Sequence, residues 1–307
     1  MTTSHTTFEN DLRERLLDIV YGQWYELGVP FSPSRPPAAT EVIDPEALLW
    51  CSLEFFPSEG RLREGVQAWL KAYESQVIRH RVNRVAKAGE PRTHIWQVLI
   101  DSTHLKVETP TEPCHGLDSI AEVDAFCSAI KESRRHAEAS KHPAGTPLGH
   151  PSSGLLRARD LLGSDIRHLL LVCLLAKPGG SRLKDIAQFS KYSYRGISET
   201  AARWEAAGVL VVEHGYCRLV DPEPWHTLLQ GQLRKAVVVD WFSVFEALIE
   251  VLRAAARARR KGLSPDSPVI GSYCRKACGV FDSARREEGR GEPQSITYLR
   301  KVFRSDY

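Results

Sequence analysis

The sequence predicts a mainly α fold with a small β component, on three observations. Apolar residues recur at three- and four-residue spacing along most of the chain. Two β-rich runs, VLVVE and YCRLV, flank the two-residue turn His214-Gly215, a hairpin signal. Two stretches resist a packed element: residues 30–45 with five prolines, and residues 141–154 with three prolines, three glycines and two serines. The second is the better boundary. It divides the 307 residues into a helical N-terminal domain (1–140), a linker (141–154), a central unit (155–221) and a helical C-terminal region (222–307).

In chain order, Phe8, Leu12, Leu16, Ile19 and Val20 repeat at helical spacing, with Trp24 beyond them. Asp44-Pro45-Glu46 is a helix start: Asp as N-cap, Pro at the first position, an acid in the first turn. Leu48, Leu49, Leu53 and Phe56 follow on one side, and Leu62, Val66, Trp69, Leu70 and Tyr73 form the next apolar face. Val77, Ile78, Arg81, Val82 and Val85 mark a third helix. Residues 94–108, HIWQVLIDSTHLKVE, are rich in β-branched residues and predict one or two strands. Ser119 and Glu122 form a capping box ahead of Ile120, Val123, Phe126, Cys127 and Ile130.

The second half opens on an apolar helix, 164–177, stopped by Pro178-Gly179-Gly180. Ser181 is expected to cap a short helix burying Leu183, Ile186, Ala187 and Phe189. Ser193 is expected to cap another, ending near Ala207 with Gly208 at C′. After the hairpin come a long helical region, 225–261, and a last helix, 269–288. In 225–261, Trp241, Phe242, Phe245, Leu248, Ile249 and Leu252 form a broad apolar face, either core or the seam of a homodimer.

The order helix, stop, short helix, turn, helix, glycine, hairpin over 164–220 resembles the winged helix-turn-helix domain of bacterial transcription regulators. The resemblance lies in RLKDIAQFSKYSYRGISETAARWEAAGVLVV, about a fifth of the chain. Ile197, Ala201 and Trp204 at i, i+4, i+7 point inward, which leaves Tyr194, Arg195, Ser198, Glu199 and Ala202 outside. The resemblance implies double-stranded DNA as partner, with the start of this helix at base edges. Arg195 suits guanine, Ser198 a base or phosphate, and Glu199 a cytosine amine. Gly196 would let the backbone approach DNA, and the free N–H groups at the helix start suit a phosphate. Arg182, Lys184, Lys191, Ser193, Tyr194 and His214 complete the expected DNA-binding set. Residues 164–220 hold eight lysines and arginines against five acids, a modest basic excess. The layout is also similar to regulators of toxin–antitoxin and phage-defence operons, type IV abortive-infection antitoxins among them. That similarity admits a protein partner in place of DNA.

Two further basic stretches stand out. In the N-terminal half, three helices precede the expected strands, and Arg79, His80, Asn83, Arg84 and Lys87 face outward, as in a second, degenerate helix-turn-helix or a plain helical bundle. Residues 253–261, RAAARARRK, place Arg253, Arg257 and Arg260 on one helix face, either for phosphates or as a solvated last turn.

The remaining chemistry is sparse. No GxxxxGK[ST], HExxH, GxSxG or GxGxxG occurs, so no catalytic residue and no cofactor are expected. Cys274 and Cys278 lie at i, i+4 without a CxxC pair, so no metal is expected. The net charge of +3 is too mild to argue a nucleic-acid partner alone. MTTSHTTFENDLRERLL lacks an apolar leader core, and no run of 18 apolar residues exists, so a cytoplasmic protein with reduced thiols, away from membranes, is expected.

Overall fold

The computed structural model describes residues 5–34, 40–86, 90–101, 151–177, 179–263, 267–286 and 293–303. These residues are mainly helical, with two small sheets. Helix α1 (His5–Glu26) buries Leu12, Leu16, Val20 and Trp24, the stripe expected from their spacing. Asp44 caps α2 (Pro45–Phe55), its side chain accepting from the amides of Glu46 and Ala47. Nearly every side chain of α2 is buried, so it is the central helix of the body. The indole of Trp24 in α1 donates to Ser52 Oγ in α2 at 2.8 Å. Then come α3 (Gly60–Tyr73), α4 (Arg79–Val85) and α5 (Pro91–Asp101).

Helix α5 overturns the strand expectation for residues 94–101. Ile95, Trp96 and Leu99 lie at i, i+1, i+4 and bury together in the core, and the Trp96 indole donates to Asn83 Oδ1 at 2.7 Å. Burial on one helical face outweighs β-branched propensity. The strands that a second winged helix would need after residue 94 are therefore absent through Asp101. Residues 102–108, the capping box at Ser119 and Glu122, Lys87 and the linker at 141–150 lie outside the described residues.

The far end of the chain returns to the same core. Helices α11 (Trp241–Arg260), α12 (Pro268–Arg286) and α13 (Gln294–Arg300) share one apolar cluster with α1 and α2. Trp24, Trp50, Phe56, Trp241, Phe245, Phe281 and Phe303 meet in it. The Trp241 indole donates to the Val42 carbonyl at 2.9 Å, and β1 (Glu41–Val42) pairs in parallel with β5 (Val237–Val238). The apolar face of α11 is thus core within one chain, not an open seam for a second copy. The linker's end is packed as well. Ser152 accepts from the Ile43 amide through its carbonyl and donates through Oγ to Glu26. A Cβ at Gly154 would stand 2.5 Å from Leu233 Cδ2, so the buried Leu233 side chain would have to shift.

Between these halves lie α6 (Gly154–Leu162), α7 (Ile166–Ala176), β2 (Ser181–Arg182), α8 (Leu183–Ser190), α9 (Tyr194–Ala206), β3 (Leu210–Glu213) and β4 (Tyr216–Leu219). The sheet runs β2-β4-β3, all antiparallel, with a second apolar cluster beneath it. His214 and Gly215 both have positive φ, as the two-residue turn requires. Strand β2 was not legible. Ser181 is not a helix cap but pairs with Cys217, and Arg182 takes the cap position. Gly180 at φ 93° makes this possible, because a Cβ there would stand 2.5 Å from the Cys217 carbonyl oxygen. The expected long helix over 225–261 is interrupted. Helix α10 (Glu223–Leu228) ends at Gln230 and Gly231, both with positive φ, before β5 and α11.

Candidate nucleic-acid interface

Helix α9 begins as its sequence dictates. Ser193 Oγ accepts from the Gly196 amide at 3.1 Å, which satisfies one of the free N–H groups of the first turn. Ile197 and Ala201 are fully buried, which fixes the register. Tyr194 is 53% exposed and the Arg195 side chain 89% exposed. Ser198 is half-buried, and Glu199 and Ala202 are exposed. The start of the helix is therefore uncovered by the other described residues.

Two expectations here need correction, for Trp204 and Gly196, and two further residues, Glu199 and Lys191, are held in pairs within the chain. Trp204 is half-buried rather than core: it packs against the outside of the second apolar cluster, its indole stacked on Trp225 at 6.0 Å and 9°. Gly196 faces inward: a Cβ there would lie 2.9 Å from Ile166 Cδ1, so the glycine serves packing on α7. Glu199 accepts from Arg195 Nε at 2.7 Å, and this bond with the Arg195 charge holds its carboxyl below the usual range. Any base bonded by Arg195 must compete with that exposed, weak pair. Lys191 turns away from the face. Its side chain is 19% exposed, and its ammonium donates to Asp240 at 3.3 Å and lies over the Phe242 ring. The backbone of Lys191 adopts the left-handed conformation that ends α8, which sends the side chain toward the body.

Arg182, Lys184 and His214 are exposed, at the start of α8 and the hairpin tip. The charges of the second basic surface are partly matched within the chain. Arg253 pairs bidentately with Glu54 at 3.0 and 2.6 Å and also approaches Glu90, so its charge is matched. Arg257 and Arg260 are exposed, and their neighbour Arg259 pairs with Glu9. Arg79 pairs with Glu74. Arg84 alone of that set reaches the α8–α9 turn, donating to the Lys191 carbonyl at 2.9 Å.

A charged cluster that sequence reasoning missed lies beneath that turn. Arg81 is fully buried and donates to Asp44, to Glu46 and, through Nε at 2.8 Å, to the Ser190 carbonyl at the end of α8. Glu46 also accepts from Arg159 at 2.9 and 2.7 Å and from the Ile78 amide at 2.9 Å. Arg159 Nε donates to His168 Nε2 at 3.1 Å. Burial would raise the Asp44 carboxyl, but the Arg81 charge and hydrogen bond outweigh it and hold it below the usual range. Burial, then the charges of Arg159 and Arg81, push His168 down to about 2, so it is neutral. Beside them, the His80 ring meets Tyr192 edge-on at 4.6 Å, and burial first of all pushes the Tyr192 phenol up to about 12. The one available signal was Glu46, whose place at a helix start also fits a dipole partner.

A cleft of about 70 Å³ lies between α7, α8 and Asp240, lined by Cys173, Lys177, Asp185 and Phe189 among others. It is well below the roughly 300 Å³ of a typical ligand pocket. Cys274 packs in the core with Phe281, and no three His, Cys, Asp or Glu side chains among the described residues are placed to hold a metal. No helix among them is long and apolar enough to cross a membrane. Comparison with family models, curated proteins and solved structures finds no match.

Proposed function

We propose that residues 166–219 act as a winged helix that binds double-stranded DNA, and that the protein is a transcriptional regulator. The observation that carries this reading is the uncovered start of α9, with Arg195 and Tyr194 projecting beside exposed Lys184 and Arg182. The element order and the β2-β4-β3 sheet support it, since a helix, strand, two helices and a hairpin in that order suit reading by the third helix. Arg195 reads a base, Ser193 and Lys184 position the backbone, and His214 at the short hairpin tip reaches a flanking phosphate. Because the apolar face of α11 is inside the chain, the reading does not depend on a homodimer.

The test is titration of the protein on a duplex selected from a random library and on a scrambled duplex. With about six phosphates contacted, the log–log salt slope should be near −5. Arg195→Ala should weaken the selected duplex roughly tenfold or more and leave the scrambled one unchanged. Lys184→Ala should weaken both alike and flatten the slope by about one. Wild-type protein with no salt-dependent duplex binding would refute the reading.

A second reading, an adaptor or antitoxin-like role with a protein partner, is favoured by one observation. The Trp204–Trp225 stack is half-buried, and Val220, 53% exposed, and Leu228, 49% exposed, flank Trp225 in sequence. Exposed apolar side chains of this kind suit a protein partner. This reading is supported if Trp225→Ala abolishes a regulatory phenotype that Arg195→Ala leaves intact.

A further inference from the structure

Resting on the DNA-binding reading, we propose that the helical body takes part in the same interface. Arg84 of α4 forms a second phosphate contact, across the groove from Lys184. The geometry starts from α8, eight residues long and so roughly 12 Å from end to end. Lys184 stands exposed in its first turn. At its other end, the Lys191 carbonyl accepts from Arg84 Nη1 at 2.9 Å. Helix α9 begins three residues later at Tyr194. Lys184 in the first turn and Arg84 at the Lys191 carbonyl thus flank a helix whose backbone length is comparable to the roughly 12 Å width of the major groove. The uncovered start of α9 lies next to the same turn.

Charge singles out Arg84 among its neighbours. Arg79 is matched by Glu74, Arg81 by Asp44 and Glu46, Lys191 by Asp240, and Arg195 by Glu199. Arg84 is exposed, and the partner it holds is a neutral carbonyl. No carboxylate among the described residues pairs with it, so its full charge faces solvent beside the turn. Nor is α4 free to swing. Arg81 ties it to the Ser190 carbonyl, and His80 packs on Tyr192. A phosphate contact held in place before binding costs little ordering. Such a contact carries no sequence information and fixes the angle at which α9 enters the groove.

The experiment is a salt titration, by fluorescence anisotropy, of Arg84→Gln and Arg84→Lys in the full chain on the selected and scrambled duplexes. Gln retains a donor for the Lys191 carbonyl but carries no charge. The expected result is a slope about 0.9 shallower for Arg84→Gln. Both duplexes should weaken by one common factor, the melting temperature should stay unchanged, and Arg84→Lys should regain the wild-type slope. Steep wild-type salt dependence with an unchanged slope, or tighter binding, in Arg84→Gln would overturn this contact and leave the DNA-binding reading standing. Absence of salt-dependent binding by the wild type would overturn both.

Discussion

Replacing Arg81 with methionine tests the buried cluster most directly. The variant removes four hydrogen bonds, two to Asp44, one to Glu46 and one to the Ser190 carbonyl. Glu46 keeps Arg159 and the Ile78 amide, so the uncompensated charge falls on Asp44. Asp44 keeps only the amides of Glu46 and Ala47 among these partners, at a site 3% exposed. Removing one member of a buried pair costs about 3–5 kcal/mol. At roughly 2–4 °C per kcal/mol, the melting temperature should fall by roughly 6–20 °C. The loss should depend on pH. In the wild type, Asp44 is held below its ordinary value, so its contribution is present above about pH 4 and lost as pH falls through the depressed folded value. Without Arg81, burial raises Asp44, which then protonates more readily in the folded state. The gap between wild type and variant should therefore be widest near pH 7 and narrow toward pH 3, in urea unfolding at each pH. Adding Asp44→Asn to Arg81→Met, which keeps a cap acceptor and removes the orphan charge, should recover part of the loss. A gap that is flat across pH, with no recovery in the double variant, would mean that Arg81 matters for packing alone.

Three shorter expectations follow from the central unit. Trp204→Ala should cost about 1.5–3 kcal/mol in urea unfolding, less than for a fully buried tryptophan, because its side chain is only half-buried in its stack on Trp225. Gly180→Ala should cost about 2 kcal/mol or more and weaken the β2–β4 pairing, seen as faster amide exchange at Cys217, because the new Cβ meets backbone rather than a movable side chain. Burial pushes the Cys217 thiol up to about 11, so at pH 8 its peptide should take up iodoacetamide only after unfolding. Labelling of the native protein at Cys217, read by peptide mass mapping, would contradict the burial.

What was legible in the sequence is what local chemistry dictates. Ser193 caps α9, Asp44 caps α2, Gly208 follows α9 with positive φ, and the His214-Gly215 turn closes the hairpin. Each depends on residues within four positions of one another. The misses depend on distant partners. Residues 94–101 are helical because Ile95, Trp96 and Leu99 meet a core completed by α11, some 150 residues on. Ser181 becomes strand because Cys217 lies opposite. Lys191 carries a basic side chain at the right place in the turn, but Asp240 takes it. The exposed face of α9 is legible because Ile197 and Ala201 set its register locally. The charge matching that removes Arg253 and Lys191 from solvent is a property of the packed chain.

The buried cluster also bears on why the body and the central unit hold one orientation. A patch of apolar side chains between α2, α4 and α7 would stabilise the junction about as well, since desolvating paired charges roughly offsets their attraction. Apolar contacts slide, however, whereas Arg81 fits Asp44, Glu46 and the Ser190 carbonyl in one geometry alone. The same helix that supplies Arg81 carries Arg84 one turn later, so whatever fixes Arg81 fixes Arg84 against the Lys191 carbonyl. If two cations must match a groove roughly 12 Å wide, a slip of a few ångströms at the junction would lose one of them. The cost of burying this network is then explained by the precision it gives to the spacing across α8, and loosening Arg81 should flatten the salt slope even while Arg84 remains in place.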